Sequence, residues 1–279
     1  MIVELVRLRF FPVLTVFLCL PAVLYGGTAP ETVTAYPKRP GCFRIVTYNV
    51  GVFSKYADDA TDMIAQMLLE AQADAVSLNE VDSVNFRHRV NQVQELAGAM
   101  GGWQWHFGNT LKWKVLGGYG NAVLVPPDVN VIRSYTVPLG WYIGSERRCI
   151  SVMETDRYVI GAVHLDHKSS SVRMRQLEYV TQWAEENYAG IDKPVLICGD
   201  FNDVPDSEVF RRFRNEWQRL SSSDKSFPSK EPQICIDYIF HFRRSAPITV
   251  NATGVMSEFS CADPETASDH LPFYVDILF

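Results

Sequence analysis

The chain has 279 residues, of which 47% are hydrophobic, and a formal net charge of −6. This length can bury a substantial apolar core in one large domain or two small ones. The negative charge argues against a protein that holds nucleic acid on a broad basic surface, because phosphate contacts need clustered Lys and Arg. It is compatible with a metal-dependent enzyme, in which a bound cation restores positive charge among carboxylates.

The first 29 residues have the order of a secretory signal peptide. Arg7 and Arg9 precede an uncharged run over residues 10–25, and small residues follow at 26–29. The run is shorter than the roughly 20 apolar residues of a membrane span. We therefore expect a secreted or periplasmic protein, with an uncleaved membrane anchor as the alternative. Residues 30–279 are expected to form a single domain, because no repeat, long linker or break in composition divides them.

In the first third of the chain, polar residues follow two predicted strands. Residues 43–50 form the first, with Asn49 near its end, and residues 74–78 form the second, which delivers Glu80. A Glu at the tip of a buried strand is destabilising unless it is paired, hydrated or bound to metal. Apolar residues at helical spacing predict one helix that Asp58 and Asp59 open and another over residues 87–100.

The middle of the chain predicts an aromatic stretch and a series of strands. Residues 103–118 contain Trp113 and two other tryptophans, which favour core and loop packing over a binding platform. Strands are predicted at 119–125, 129–137, 148–154 and 158–164. Arg147 precedes the third, where it is either solvated or in contact with a phosphate. The fourth ends in the sequence H-L-D-H, which places His164 as a proton donor or phosphate ligand and His167 as a secondary candidate.

The stretch 193–206 contains the strongest local signal. The apolar run 195–198 predicts a buried strand that ends at Gly199, and Asp200 and Asn202 follow it. Two such side chains, two residues apart, point to the same side and could hold a water, a metal or a phosphate oxygen. An Asx-rich turn is the alternative. Helices are predicted on both sides of this stretch, the first capped by the serines at 169–171 and the second over 206–217.

Three more polar residues lie near the end of the chain. Asp237 is at the centre of a predicted strand over 234–240 and therefore needs a buried cationic or donor partner. A strand is predicted at 248–255, and Asp269 and His270 introduce the last strand at 271–278. The cysteines after residue 29 are odd in number and match no zinc spacing, and Cys198 and Cys235 are expected to be buried thiols.

Taken together, these strand-terminal groups predict one site at one edge of a sheet sandwich. Oxygen donors favour Mg²⁺ or Mn²⁺ over zinc. The motifs T-Y-N-V, L-N-E-V-D, H-L-D-H, G-D-F-N-D, I-D-Y-I-F and S-D-H, read in chain order, resemble the endonuclease/exonuclease/phosphatase superfamily. This is the group of deoxyribonuclease I, exonuclease III, neutral sphingomyelinases and inositol-polyphosphate phosphatases. The resemblance extends over residues 43–279 and looks like a secreted branch with an H-L-D-H motif.

The resemblance implies an α/β fold, a four-layered sandwich of two mixed β-sheets packed face to face with helices outside. It also implies metal-dependent hydrolysis of a phosphoester. The roles that it implies are metal binding for Glu80, Asn49 and Asp269, water activation for Asp200, and orientation of the water or phosphate for Asn202. His270, polarised by Asp237, would contact the phosphate, and His164 would stabilise developing charge or protonate the leaving group. Arg147 and His167 are candidate substrate contacts.

The sequence motifs indicate the substrate less clearly than they indicate the type of reaction. The inositol phosphatases have W-x-G-D-x-N and C-D-R motifs where this chain has I-C-G-D-F-N and C-I-D-Y. We expect an exported, monomeric phosphoesterase that acts on a small or lipid-linked phosphoester, with an exported nuclease of the deoxyribonuclease I type as the alternative. A nucleic-acid substrate is therefore not favoured. Membrane contact, through a lipid-linked substrate or an uncleaved anchor, stays open, and a binding protein without activity is the third hypothesis.

Overall fold

The structure, a computed structural model, describes residues 34–110 and 117–279. These residues belong to one of the two units into which the chain divides, Val33–Phe279. The other unit, Met1–Thr32, lies outside the described residues, and so do the predicted signal peptide and Trp113. In the part of the chain that is described, no helix is both long enough and apolar enough to cross a membrane.

The strands form two sheets of six strands each within the described residues. The first sheet has the order β11-β12-β1-β2-β4-β3 and the second the order β5-β6-β7-β8-β10-β9. The strands are β1 (Phe43–Asn49), β2 (Ala75–Ser83), β3 (Gln104–Asn109), β4 (Gly118–Val125), β5 (Val131–Pro138), β6 (Cys149–Thr155), β7 (Val159–His164), β8 (Val195–Asp200), β9 (Trp217–Arg219), β10 (Asp237–Phe242), β11 (Thr249–Val255) and β12 (Phe273–Leu278). Both sheets are mixed, because β1 and β2 are parallel, as are β7 and β8, whereas the other neighbours are antiparallel.

Helices cover the outer face of each sheet. They are α1 (Thr61–Glu70), α2 (Gln92–Ala99), α3 (Ser170–Tyr188), α4 (Glu208–Phe213) and α5 (Pro264–Ala267). One apolar cluster joins α1 and α2 to the first sheet, and another joins α3 and α4 to the second. A third cluster, with Ile45, Val123, Ile160, Leu196 and Ile239, fills the space between the sheets. The predicted four-layered α/β sandwich is therefore confirmed.

Most predicted strands agree with the structure to within a few residues, but the aromatic stretch and two helices differ. Part of the stretch 103–118 is strand β3, which pairs with β4 at the edge of the first sheet. The helix predicted over 87–100 begins only at Gln92, where the Asn91 side chain accepts a hydrogen bond from the Gln94 N–H. Arg87 instead lies in the preceding loop and pairs with the buried carboxylate of Asp82.

Two of the other predicted helices begin with a serine cap. Ser169 caps α3 as predicted, since its hydroxyl accepts a hydrogen bond from the Val172 N–H. The helix predicted over 206–217 is limited to α4, which Ser207 caps, and Trp217 begins the short strand β9 instead. Cys198 and Cys235 are buried free thiols, as the sequence predicts.

Candidate functional site

Side chains alternate between the two faces of a strand, and this alternation places the predicted polar residues on the faces where the two sheets meet. Ile45 of β1 points between the sheets, so Asn49, four residues later, points to the same side. Leu196 and Asp200 of β8 are related in the same way, and so are Ile160 and His164 of β7. The space between the sheets is therefore apolar along most of its length and polar where these strands end.

Glu80 reaches this space because strand β2 is irregular. The sequence predicts a strand that stops before Glu80, but β2 continues to Ser83 and pairs with β4 on both sides of a register shift between Leu78 and Val81. Glu80 lies inside this bulge with a φ of 56°. In a regular strand, Asn79 and Glu80 would point to opposite faces, and the bulge removes that alternation. Glu80 and Asn79 both contribute to the site for this reason.

Asp200 lies at the centre of the site. Its Oδ2 accepts a hydrogen bond from Asn49 Nδ2 at 3.1 Å, and Asn49 Nδ2 also lies 3.3 Å from Glu80 Oε1. Its Oδ1 accepts a hydrogen bond from the Asn202 N–H at 2.8 Å, and its own N–H donates to Asn79 Oδ1 at 2.8 Å. Asp200 is 2% exposed. Three residues from three different segments, Asn49, Asn79 and Asn202, thus hold Asp200 in place.

Asp237 and His270 form a hydrogen-bonded pair beside Asp200. Asp237 is the first residue of β10, directly opposite Asp200 of β8, and is not at the centre of its strand as the sequence predicts. Its Oδ2 lies 2.9 Å from His270 Nδ1 and accepts a hydrogen bond from the Ser226 hydroxyl at 2.6 Å. His270 Nε2 lies 3.7 Å from Asp200 Oδ2. Asp237 therefore has the buried partner that the sequence requires.

The charges in this group follow from burial and proximity. Burial, together with the nearby Asp237 carboxylate, raises the pKa of Asp200 to about 7. Burial alone would lower the pKa of His270, but the Asp237 carboxylate outweighs it and raises that pKa to about 9. At neutral pH the site thus contains a cationic His270 beside an Asp200 that can take up or release a proton.

His164 is the neutral member of the group. Burial, reinforced by the positive charge of Arg148 and by His270, lowers the pKa of His164 well below its ordinary value. Its Nε2 lies 3.6 Å from Asp200 Oδ2, beyond hydrogen-bonding distance, and its Nδ1 has no partner among the described residues. A neutral imidazole is a hydrogen-bond donor but a poor proton source. Of the two roles that the sequence leaves open, this favours stabilisation of charge.

A cleft of about 660 Å³ opens onto these residues. Its lining includes most of the predicted site residues, namely Glu80, His164, His167, Asp200, Asn202, Asp269 and His270. Asn49 and Asp237 are not among the described lining residues. Asn49 hydrogen-bonds to Asp200 and Asp237 hydrogen-bonds to His270, both of which line the cleft. Arg147 is the exception. It lies against Trp141 in a neighbouring cavity, and Arg148 lines the cleft in its place.

The sequence analysis also missed residues that support the site. The side chain of Asn79 donates a hydrogen bond to the Val163 carbonyl on the opposite sheet, at 2.7 Å, so this residue joins β2 to β7 and β8. Arg173 of α3 lines the cleft, and its Nε donates to Asp203 Oδ2 at 2.9 Å. Asn79 lies two residues from Ser77 in strand β2, so strand parity could have identified it. Nothing local in the sequence indicates which residue pairs with Arg173.

The donors at the cleft fit a hard divalent cation. Ligand atoms of Asp200, Asp237 and His270 lie within 4.8 Å of one another, which makes these residues one candidate set. Glu80 and Asp269 supply further carboxylates in the cleft lining. The Lys55 ammonium group lies 2.8 Å from Asp269 Oδ2, and its pKa is raised despite partial burial because Asp269 and then Glu80 attract it. This position therefore favours positive charge, and oxygen donors of this kind suit Mg²⁺ or Mn²⁺.

The comparisons with known proteins agree with this geometry. A model of the Endonuclease/Exonuclease/phosphatase family matches residues 46–270. No curated protein matches the chain. Among similar solved structures is a mannosyl-6-phosphatase from Bacteroides thetaiotaomicron VPI-5482, with 19% identity and a TM-score of 0.70 over 85% of this chain and 100% of that one.

Two further structures show the same architecture. An endonuclease/exonuclease/phosphatase from Bacteroides vulgatus has 18% identity and a TM-score of 0.68, over 85% of this chain and 98% of that one. The human Nocturnin catalytic domain with a bound sulfate anion has 20% identity and a TM-score of 0.65, over 86% of this chain and 94% of that one. At these identities, the similarity to solved structures establishes the fold. The match to the family model over residues 46–270 establishes family membership.

Proposed function

Because the chain belongs to the endonuclease/exonuclease/phosphatase family, whose members are phosphoester hydrolases, we propose that it hydrolyses a small or lipid-linked phosphoester with a divalent cation. The observation that supports this most directly is the group around Asp200. A buried carboxylate with a pKa of about 7 faces a buried imidazolium at the floor of an open cleft. A base and a cation placed together in this way suit attack by water on a phosphoester.

Asn49, Glu80 and Asp269 are the residues that we propose hold Mg²⁺ or Mn²⁺. The residues Asp200, Asp237 and His270 form a less suitable metal site. His270 Nδ1 is already hydrogen-bonded to Asp237, and His270 is cationic at neutral pH. When bound, the cation supplies positive charge that neutralises the phosphate oxygens and lowers the pKa of a bound water.

The chain's own residues account for the remaining steps. Asp200 accepts a proton from the attacking water, whose oxygen forms the new bond to phosphorus. Asn202 and Asn49 orient the Asp200 carboxylate or the group bound to it. His270, kept protonated by Asp237, neutralises negative charge as the bond to the leaving oxygen breaks. His164 donates a hydrogen bond to the phosphate, and His167 and Arg148 line the same cleft.

The size of the cleft supports a compact phosphoester. Its volume of about 660 Å³ is in the range of pockets for small ligands. The B. thetaiotaomicron neighbour is a mannosyl-6-phosphatase, which agrees with a phosphate on a small organic group. The net charge of −6 weakens the case for a nuclease.

A substrate panel with a matched pair of variants tests the proposal. Sugar phosphates, inositol phosphates, sphingomyelin, bis-p-nitrophenyl phosphate, RNA and plasmid DNA are each assayed with Mg²⁺, with Mn²⁺ and with excess chelator. Turnover is expected for a small or lipid phosphoester, with loss in chelator. Asp200→Asn is expected to reduce kcat by about 10²–10⁴-fold. Asp192→Asn, an exposed aspartate before β8, is the control and should retain full activity.

Near-normal activity of Asp200→Asn, or full activity in chelator, would show that the site works by other chemistry. Absence of turnover across the panel, with folded protein, would favour a binding protein.

Export and a monomeric state are part of the same proposal. The order of residues 1–29 supports export, and we propose with it that the chain belongs to a secreted branch with an H-L-D-H motif. Fractionation of cells that express the full chain, with N-terminal sequencing of the mature protein, distinguishes a cleaved signal peptide from a retained anchor. Light scattering on the purified protein measures its oligomeric state.

A further inference from the structure

A second cavity of about 520 Å³ lies beside the cleft, and Arg148 lines both. Arg148 precedes β6, which begins at Cys149. Because Arg148 lines both cavities, it lies between the cleft that is proposed to bind the phosphate and a space that the proposed reaction does not use. A substrate with its phosphate in the cleft could extend past Arg148 into this space.

Arg148 is buried but incompletely paired. Its residue exposure is 4%, and its Nε has no hydrogen-bond partner among the described residues. Its Nη2 lies 3.2 Å from Glu146 Oε2 and 3.5 Å from His167 Nδ1. An unpaired N–H of a buried guanidinium is destabilising, so a ligand oxygen in this position would remove a penalty that the free protein has. Arg148 is thus better placed than Arg147 to contact a phosphoester.

The second cavity combines an aromatic face with neutral polar groups. Trp141 is 59% exposed on its rim, and the Arg147 guanidinium lies 6.0 Å from the Trp141 ring centroid. The Oδ1 of Asn109 is buried and has no hydrogen-bond partner among the described residues, and Thr136 also lines the space. The described lining contains no acidic side chain. An exposed indole with hydrogen-bonding groups around it suits a ring that has an apolar face and hydroxyl groups at its edge.

We propose that this second cavity binds the sugar or cyclic polyol group of the phosphoester substrate while Arg148 contacts its phosphate. The inference rests on the proposed phosphoesterase function and assigns a substrate class to the same site. Trp141 would stack on the ring, and Asn109 Oδ1 would accept a hydrogen bond from one of its hydroxyls. An acyl chain fits less well, because it would leave Asn109 Oδ1 unpaired.

Two tryptophan variants and two substrates test the subsite by activity. The measured quantity is the ratio of kcat/KM for glucose 6-phosphate to kcat/KM for methyl phosphate, which has no ring. Trp141→Ala is expected to lower this ratio about tenfold, the effect of one lost ring contact. Trp105→Ala is the matched control, since Trp105 is a partly exposed tryptophan of β3 outside the described lining of both cavities. An unchanged ratio in Trp141→Ala, or an equal fall in Trp105→Ala, would overturn the proposal.

Binding measurements separate this inference from the proposed function. Isothermal titration of each variant with glucose 6-phosphate and with inorganic phosphate needs no turnover. Trp141→Ala should weaken glucose 6-phosphate about tenfold more than inorganic phosphate. Arg148→Gln should weaken both ligands about equally, and more than Arg147→Gln weakens inorganic phosphate. Arg148→Lys replaces Arg148→Gln if circular dichroism shows that the latter does not fold.

The outcomes are distinguishable. If no phosphoester is hydrolysed but Trp141→Ala still selectively weakens glucose 6-phosphate, the proposed function fails and the subsite stands. If hydrolysis is found but dihexanoyl phosphatidic acid is preferred to glucose 6-phosphate and Trp141→Ala does not alter sugar-phosphate binding, the subsite fails and the function stands.

Discussion

Asp237 raises the pKa of two neighbouring groups, because its carboxylate adds to the effect of burial at Asp200 and opposes the effect of burial at His270. In the proposed reaction Asp200 must be ionised and His270 protonated. With pKa values of about 7 and about 9, kcat/KM should rise as the pH rises through about 7 and fall as it passes about 9. The pH profile therefore reports on both groups at once.

Replacing Asp237 with Asn should move both limbs of that profile to lower pH. The variant removes the negative charge that raises the pKa of Asp200 and the charge that holds up the pKa of His270. It should also lower the maximal rate, since His270 loses its orienting partner. The measurement is kcat/KM against pH for wild type and Asp237→Asn, with Asp192→Asn as a control. If both limbs of the pH profile stay at the same pH in Asp237→Asn, groups other than Asp200 and His270 determine them.

Glu80 is the residue on which metal affinity should depend most. Glu80→Gln keeps an oxygen for the hydrogen bond from Asn49 but removes the negative charge. The Mg²⁺ concentration needed for half-maximal activity should rise at least about tenfold, as expected when a charged ligand becomes neutral. Calorimetric titration with Mg²⁺ measures the affinity independently of turnover.

The fold of this variant should be unaffected, because Glu80 lies in a bulge at the edge of an apolar core. Glu95→Gln on the exposed face of α2 is the control. Equal Mg²⁺ affinity in wild type and Glu80→Gln would remove Glu80 from the proposed metal site.

At the scale of whole elements, the sequence predicts which strands exist better than where they end. Period-two and period-3.6 patterns depend on burial, so they identify strands such as β1 and β8 and their inward faces. Strand ends depend on partners from elsewhere in the chain. Strand β2 continues past Glu80 because β4 pairs with it, and Asp237 begins β10 because it lies opposite Asp200.

The same reason explains what the sequence analysis missed in the site. Motif residues at strand ends could be listed from the sequence, and the structure brings most of them to one cleft. The choice between Arg147 and Arg148 depends on the conformation of the loop before β6, which no local pattern specifies. Helix α2 is shorter than predicted for a similar reason, since Arg87 pairs with Asp82 in the preceding loop.

Gly199 shows how strand pairing constrains a residue next to the site. The sequence predicts a strand end here, but β8 continues to Asp200 and Gly199 has a φ of 145°. A Cβ at this position would lie 1.9 Å from the Val163 carbonyl oxygen of β7, a contact that the parallel pair cannot relieve without separating. Gly199→Ala should therefore lower the free energy of unfolding by more than ~3 kcal/mol.

Gly190→Ala is the matched control for that experiment. Gly190 also has a positive φ, of 79°, but no described heavy atom lies within 4 Å of the position its Cβ would take. Only backbone strain should result, at about 1 kcal/mol. Urea unfolding followed by circular dichroism measures both variants. Similar losses in the two would show that the backbone angle and not the contact with β7 makes glycine necessary.

Glu154 joins three elements at the end of the second sheet away from the cleft. Its carboxylate accepts hydrogen bonds from Arg133 of β5, Tyr188 of α3 and Lys193 before β8, at 2.7–2.9 Å. Partial burial favours the neutral acid, but hydrogen bonds from Lys193, Arg133 and Tyr188 outweigh it and lower the pKa of Glu154. The ionised form therefore stabilises the folded state.

The sign of the pH effect follows from that shift. Because the folded pKa lies below the ordinary value of 4.5, the stabilisation is present above pH 4.5 and is lost as the pH falls through the folded pKa. Glu154→Gln should lower the free energy of unfolding at pH 7 by ~1–3 kcal/mol and reduce its dependence on pH in the acid range. Urea unfolding at a series of pH values checks this, and parallel curves for the two proteins would contradict it.

At the scale of the whole molecule, the site exists because two sheets present their strand ends to each other. Asn49 and Glu80 come from the first sheet, Asp200 and Asp237 from the second, and His270 from the segment that precedes β12. The apolar layer between the sheets extends up to these groups and excludes water beneath them, which is why the pKa of Asp200 is raised. The charge distribution outside the cleft then decides which substrates can approach.

That distribution predicts a shallow dependence of activity on salt. The protein has a net charge of −6, and the described lining of the cleft contains two arginines, of which Arg173 is paired with Asp203. A nuclease that makes 6–10 phosphate contacts loses roughly 10³–10⁵-fold in affinity between 50 and 200 mM salt. An enzyme that recognises one phosphoester should change several-fold at most. The measurement is kcat/KM against ionic strength for glucose 6-phosphate and for plasmid DNA at constant Mg²⁺. Efficient plasmid cleavage with a steep salt dependence, and no turnover of the small phosphoester, would establish the nuclease alternative instead.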